Sequence, residues 1–549
     1  MKFALAKFLP ALWLIAVAVA FNPWTREVFR LPKMLAYTAA CALLAFLPRL
    51  PGTLAVAFAF AASSIALFLP AQASMEVAYL IGGGLLFSAL RVAPNESWET
   101  LRQSIIFSSV GLALVALAEW GGTALWSPAS LVDRSTQGTI SLIGNPEFLA
   151  TWLGAGLLLH LHSHRRSRLL TLVLLLGITT TLSKGTMILV LVIFLWQKFP
   201  ALRRHITLGG ALLVLLVGIA SHSVRSRLFL WAVGLEMLGT NPITGVGFGN
   251  FANRYLTSVT SIFERWPALR SAAGDLSGVV SDAHNIFIQA GAELGMMGIL
   301  AVASLFVVIV RKVKSSTDGW AAVLALVAVK SLYTVVLSSP VSFALGLTAL
   351  ASPGAAGPCV GQDSRRLLTR IGLLATATAL VLCSLDMIRF DRAYQVAYQA
   401  AYQKKLALAR GRTDAALEYH RQSGDAWLLD AYVSYLEGDY GPMRASLARA
   451  VNYAPTFNTY KLAARLQYLT GDYSTSAKTY LKIHKAYPEH LTSVVKLSEN
   501  YYNLGELDRA FRYACASLKL NPRVRTSSHS ANRAKAQGLL QLLGGVPCT

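Results

Sequence analysis

Several polar groups interrupt an otherwise apolar chain, and their types suit the handling of a phosphorylated substrate at a water–lipid boundary. Asn285, Gln289 and Glu293 recur at i, i+4 and i+8 just after Asp282-Ala-His284, so a helix entering the membrane there carries them along one face. A polar stripe at that depth must face the inside of a helix bundle. Ser281 or Asp282 is placed to cap this helix, with His284 in its first turn, where free N–H groups and the helix dipole favour an anion. Arg227 and Trp231 stand one turn apart on a segment whose Leu228, Trp231, Leu235 and Leu238 repeat at helical spacing, as in an amphipathic helix on the outer leaflet. Thr181-Leu-Ser183-Lys184-Gly185 separates two apolar runs, and Gly144-Asn145-Pro146-Glu147 enters another span from the same side.

These residue types point to one kind of chemistry. The planar fork of Arg227 grips two oxygens of a diphosphate and keeps its charge at any working pH, whereas Lys184 adds charge without the fork. A neutral imidazole, with a reference pKa of about 6.5, can take the proton of an attacking hydroxyl. Each residue also has a purely structural reading. His284 can rest on a carbonyl, Lys184 can snorkel to headgroups, Arg227 can bind lipid phosphate, and Glu293 can pair with a neighbouring helix. Gly245, Gly247 and Gly249 follow the Asn241-Pro242 turn and read as turn geometry, because no strand-turn-helix unit surrounds them as a dinucleotide site would need.

The elements that must position these groups are transmembrane helices. The chain has 549 residues, 54% hydrophobic and only 14% charged, well short of the quarter that a soluble domain carries. Apolar segments lie near 34–48, 53–70, 75–90, 103–119, 147–161, 168–183, 185–198, 206–220, 285–310, 319–338, 341–352 and 368–388, after a first run that reads as a retained span rather than a cleaved signal. The expected fold is therefore all-α, a polytopic bundle of about 12–13 spans, with residues 1–389 as the membrane domain and 222–283 as its large outer loop. The net charge of +23 sits largely in short loops, so it reads as orientation and contact with membrane lipids, not nucleic-acid binding. Arg165, Arg166 and Arg168, Lys198, Arg203 and Arg204, Arg311, Lys312 and Lys314, and Arg365, Arg366 and Arg370 share one side, which places the outer loop and the tail outside. The five cysteines lack metal spacing, and no disulfide framework or zinc site is expected from them.

The tail from about 390 is polar and repetitive. Gly438-Asp-Tyr440, Gly471-Asp-Tyr473 and Gly505-Glu-Leu507 recur, and the units close on Ala454-Pro455, Tyr487-Pro488 and Asn521-Pro522. A period of about 34 residues is the tetratricopeptide signature, an α-solenoid whose concave surface suits a protein partner. Repeats are expected over 390–525 and a fraying tail over 526–549, with one last helix at 534–543.

Taken together, Gly144-Asn145-Pro146, Ser183-Lys184-Gly185, Arg227-x-x-x-Trp231, Asn241-Pro242-x-x-Gly245-x-Gly247, and His284-Asn285 with Glu293-x-Gly295-x-x-Gly298 resemble the O-antigen ligase and Wzy-type polymerase superfamily. The resemblance covers roughly 135–310 by motif and the membrane part by layout. It implies a GT-C-like glycosyltransferase of the bacterial inner membrane, needing no metal or other cofactor, with an external active site. The donor it implies is a glycan on undecaprenyl diphosphate, and the acceptor is lipid A-core, a growing glycan or a protein hydroxyl. His284 would then be the base, Arg227 and Lys184 the diphosphate ligands, and Trp231, Asn285 and Glu293 further substrate contacts. Lys184 departs from the family, which has arginine there. The readings set against this are a lipid-linked glycan flippase and a membrane-anchored scaffold.

Overall fold

The computed structural model describes residues 90, 95–122, 139, 141–143, 145–164, 166–203, 205, 222–273, 280, 282–334, 340–352, 386–520, 527–544 and 548. The first span, the segments near 34–48, 53–70 and 206–220, most of 75–90 and 368–388, Gly144, Ser281, Asn521-Pro522, and Arg165, Arg204, Arg365, Arg366 and Arg370 lie outside them. The described residues form helices and no strands, grouped in two units.

The first unit holds α1 (Asn95–Trp120), α2 (Pro146–Leu161), α3 (Arg168–Thr180) and α4 (Lys184–Lys198). The helices α5 (His222–Thr240), α6 (Phe251–Arg265) and α7 (Pro267–Ala273) belong to the second unit, and α8 (Ile286–Ser315) divides between the two. The first unit continues with α9 (Gly319–Ser331) and α10 (Pro340–Ala351). Its centre is α2, buried continuously from Leu149 to His160 and packed against α1, α3, α4, α9 and α10. Uniform apolarity explains that position, since a helix with no polar face has no side to show to water. Small residues let its neighbours approach. A Cβ on Gly156 would stand 2.2 Å from Ser109 Oγ, and one on Gly154 2.8 Å from Val190 Cγ2, the close contact that apolar helices use where the hydrophobic effect gives no drive. Among the described residues, Ser97–Trp120 and Ile286–Ser315 are long and apolar enough to cross a membrane, while Arg168–Thr180, Gly319–Ser331 and Ser342–Ala351 are shorter apolar helices.

The second unit joins the segment 222–273 to the tail. Its repeats are paired helices, Gly424–Glu437 with Tyr440–Tyr453, Phe457–Leu469 with Tyr473–Ala486, and Leu491–Asn503 with Leu507–Lys519. The turn inside each pair is made by a left-handed glycine, Gly438, Gly471 and Gly505, at φ 79°, 78° and 77°, the backbone that glycine adopts without a steric cost. The amphipathic α6 buries Phe251, Tyr255, Val259 and Phe263 in the same core as Phe457, Tyr480 and Tyr487. Arg270 reaches His484, and Glu264 pairs with Lys485. The segment holding α6 and α7 is thus a partner of the helix pairs, and part of their surface is already covered.

Two expectations for the tail are corrected. The Ser-His-Ser-Ala-Asn run is not a frayed end but the opening of a helix, Ser527–Leu542, that packs on the last repeat pair through Leu539 and Leu540. Cys515 and Cys548 form a disulfide, with Cα atoms 5.4 Å apart. Residues 33 apart give no spacing signal, so only the fold shows the pairing.

Two half-buried histidines, His484 and His490, are expected to make this unit acid-sensitive. His490 caps the helix Leu491–Asn503 by accepting the N–H of Ser493 through Nδ1 at 3.3 Å, which requires that nitrogen to be unprotonated. Burial, aided by Lys461 and His529, lowers its pKa from 6.5 to about 4. His484 is likewise pushed down to about 4 by burial and by the Arg270 guanidinium. Between these values the unfolded chain binds more protons than the folded one, so stability is complete above about pH 6.5 and is lost as the pH falls towards 4. The unfolding midpoint of the full-length protein is expected to drop across that window. His490→Asn, which keeps a capping oxygen, and His484→Gln should flatten the profile.

Candidate functional site

The site in the first unit is assembled at the C-terminal end of α9. The Asn145-Pro146 pair starts α2 because Asn145 Oδ1 accepts from Glu147 N at 2.9 Å and Phe148 N at 3.3 Å, and proline at the first helical position lacks only an N–H that would be unpaired anyway. That cap sets Glu147 in the first turn, opposite Lys330. Lys330 Nζ, on a side chain only 1% exposed, donates to Glu147 Oε2 at 2.6 Å, to the Glu147 carbonyl at 3.1 Å and to Thr186 Oγ1 at 2.7 Å. Ser183 Oγ donates to the same carboxylate oxygen at 2.9 Å and lies 2.7 Å from Thr186 Oγ1. With the Thr186 hydroxyl donating to Ser183, the four groups close a ring of hydrogen bonds. A closed polar ring of this kind is what makes a buried ammonium tolerable.

Ser183 and Thr186 flank Lys184, the first residue of α4, whose side chain is exposed. A cation at a helix N-terminus opposes the dipole, so this lysine is in a place that an anionic ligand would favour. Leu182, just before, holds a left-handed φ of 55°, uncommon for a residue with a γ-branched side chain.

His284 does not lie in the first turn of α8, as its spacing suggested. It precedes the helix at φ 50°, and the cap is Asn285, whose Oδ1 accepts from Phe287 N at 2.9 Å. Asn285 Nδ2 also donates to the Leu332 carbonyl at 2.9 Å. Leu332 stands two residues beyond Lys330, so the Lys184 turn and the His284 turn are both fastened to the same few residues at the end of α9.

Glu293 is 4% exposed, and its Oε1 accepts from Phe251 N at 3.1 Å and from Gln289 Nε2 at 2.8 Å, while Gln289 Oε1 accepts from Ala283 N at 2.7 Å. The polar stripe seen in the sequence is therefore a tie between the His284 turn's upstream neighbour and the N-terminus of α6. The glycines have a related task. At Gly295 (φ 66°, ψ −154°) α8 breaks, and the Ala292 and Glu293 carbonyls are taken by Val246 N at 2.8 Å and Gly247 N at 3.0 Å, while Met296 N donates to Pro242 O at 2.8 Å. The backbones touch, since a Cβ on Gly245 would sit 2.3 Å from Glu293 C and one on Gly295 2.3 Å from Ile243 O. Gly295→Ala is expected to cost about 2–3 kcal/mol, read as a lowered unfolding midpoint of the full-length protein.

Lys184, His284 and Asn285 belong to the first unit, and Arg227, Trp231 and Glu293 to the second. Arg227 and Trp231 are half-buried on α5, and the Trp231 indole N–H is buried with no hydrogen-bond partner among the described residues. The stripe of α5 that stays exposed carries Leu228 and Leu235, at 52% and 54%. Lys330 and Glu147 were given no role by the sequence motifs, although a lysine inside an apolar run is itself a sign of function or pairing. Among the described residues no group of three His, Cys, Asp or Glu side chains is arranged to hold a metal ion.

Comparison with known proteins adds one finding. Residues 148–303 match a family model described as O-antigen ligase. No curated protein matches the chain. The matched stretch supports a kinship with the O-antigen ligase superfamily and a glycan-transfer role in envelope polysaccharide assembly.

Proposed function

We propose that this protein is a glycosyltransferase of the bacterial envelope that moves a glycan from an undecaprenyl-diphosphate carrier to an acceptor hydroxyl. The observation that carries this reading is the O-antigen ligase match, which spans Lys184, Arg227, Trp231, His284, Asn285 and Glu293 together. His284 accepts the proton of the acceptor hydroxyl as its oxygen forms a bond to the anomeric carbon. The bond from that carbon to the diphosphate breaks, the lipid diphosphate leaves with the electron pair, and the configuration inverts. Arg227 and Lys184 meet the charge that develops on the leaving group, which supplies the electrostatic stabilisation such a step requires. Asn285 and Glu293 hold the loops that present these groups, and Trp231 offers an indole N–H beside Arg227.

The site and the repeats, read as tetratricopeptide-like, face the outside of the inner membrane. The Lys/Arg pattern supports this orientation, and so does the Cys515–Cys548 disulfide, a bond characteristic of oxidising compartments. The remaining repeat surface suits a protein partner, which favours a polymerase or an enzyme acting with a partner over a ligase to lipid A-core.

The test is reconstitution of purified protein in liposomes with an undecaprenyl-diphosphate-linked glycan and, in separate arms, lipid A-core, a glycan chain and a protein acceptor. A covalent product in one arm, formed equally with a chelator present, supports the proposal and names the acceptor. Translocation of the donor with no product in any arm overturns it in favour of a flippase.

A further inference from the structure

A polar cavity lies in the first unit at the other end of α9, one helix length from the Glu147–Lys330 pair. It has a volume of about 440 Å³ and is lined by Arg102 of α1, His162 at the end of α2, the Ser315-Ser316-Thr317-Asp318 turn, and the first residues of α9. Arg102 Nε is buried with no partner among the described residues, while Nη2 is shared between Glu99 Oε1 at 3.0 Å and Ser163 Oγ at 3.3 Å. The opening N–H groups of α9 point out of a helix start, where the dipole is positive. The one carboxylate in the lining, Asp318, has its Oδ1 committed to Ala321 N at 2.7 Å. The His162 Nδ1 proton goes to the Leu158 carbonyl at 2.7 Å. Two exposed cations adjoin the lining along the chain: Arg166, whose Nε donates to the Ser163 carbonyl, and Lys314, which precedes Ser315.

The rest of the lining is largely apolar. Leu159 is buried, and Trp320, 8% exposed, packs edge-on against Trp98 with ring centroids 5.5 Å apart. A niche that offers the Arg102 Nε and a helix start on one side and a greasy wall on the other fits a ligand that is itself anionic at one end and apolar at the other. The niche also lies on the Lys/Arg-rich side of the helices, the side that meets the leaflet enriched in anionic lipid.

We propose that this cavity binds the phosphate headgroup of an anionic phospholipid from that leaflet, with Arg102 and the start of α9 as its ligands. The phosphate oxygens take the Arg102 guanidinium and the free N–H groups, and the glycerol end rests on Trp320 and Leu159. This site is separate from the proposed transferase chemistry and does not depend on it.

The experiment places full-length protein in phosphatidylcholine nanodiscs with or without phosphatidylglycerol, measuring the unfolding midpoint and the phospholipid retained on extraction by native mass spectrometry. Wild type should retain phosphatidylglycerol and gain stability from it. Arg102→Gln should weaken retention by about tenfold, the worth of one lost charge-assisted contact. Thr317→Phe, which fills the mouth without removing a charged donor, should do the same while leaving the midpoint in phosphatidylcholine alone unchanged. Arg168→Gln, an exposed cation outside the lining, should change neither reading. Equal retention by Thr317→Phe and wild type overturns the proposal. So does equal protection by inorganic phosphate or glycerol phosphate added to phosphatidylcholine nanodiscs, which would assign the cavity to a soluble anion.

Discussion

Replacing His284 by alanine is expected to lower glycan transfer by about 10²–10⁴-fold, the usual worth of a general base, while the protein remains at its normal level in the membrane. The fold should tolerate the change because His284 is half-buried and stands outside α8, with the helix cap supplied by Asn285. Its φ of 50° does penalise a Cβ, so an asparagine control separates backbone from chemistry. Asparagine accepts left-handed backbone readily but cannot take a proton at working pH. His284→Asn should therefore be as inactive as His284→Ala and at least as stable. Transfer from a lipid-linked donor in proteoliposomes, scored beside unfolding midpoints, provides the check. Wild-type turnover in either variant would remove His284 from the mechanism.

The second large effect concerns the buried ring. Removing either member of an ion pair leaves the other uncompensated, but the two members here differ in their access to water. The Lys330 side chain is 1% exposed, whereas that of Glu147 is 38% exposed. Glu147→Ala should therefore cost about 3–5 kcal/mol, as for other orphaned buried charges. It removes the carboxylate from an ammonium that is closed off from water, although the Glu147 carbonyl and the Thr186 hydroxyl still accept from it. Lys330→Met should cost about 1–2 kcal/mol, because the carboxylate retains Ser183 and can reach solvent. Thermal unfolding in detergent micelles measures both, and the asymmetry is the test. Equal losses would mean that the pair does not have this burial in the membrane. Because Ser183 and Thr186 flank Lys184, Glu147→Ala should also weaken binding of a lipid diphosphate.

Much of the site was legible before the fold was known, and the misses have identifiable causes. The Asn285, Gln289 and Glu293 stripe followed from helical spacing, and Gln289 does bond Glu293 across one turn. His284 was placed one turn too far along because Asp282 and Asn285 are both good caps, and spacing alone does not choose between them. What chose was a bond to a distant carbonyl, that of Leu332. The glycines after Asn241-Pro242 read correctly as turn geometry, since Gly245, Gly247 and Gly249 all have positive φ. The purpose of Gly245 and Gly247 was hidden, because the Glu293 backbone they meet lies on a helix some fifty residues downstream.

The sequence by itself determined the elements and their repetition. Apolar runs of helical length, the Asn145-Pro146 start of α2, the Asp318 cap of α9 and the recurring left-handed glycines of the tail are all written in residues a few positions apart, within reach of local hydrogen bonds and dihedral preference. Only the tertiary structure decided which distant groups meet. The Glu147–Lys330 ring, the contact of Gly245 with Glu293, the packing of α6 on the repeats and the Cys515–Cys548 bond join segments that share no spacing. Such pairings are selected by burial, which penalises every charge or carbonyl left alone, and burial is a property of the assembled chain.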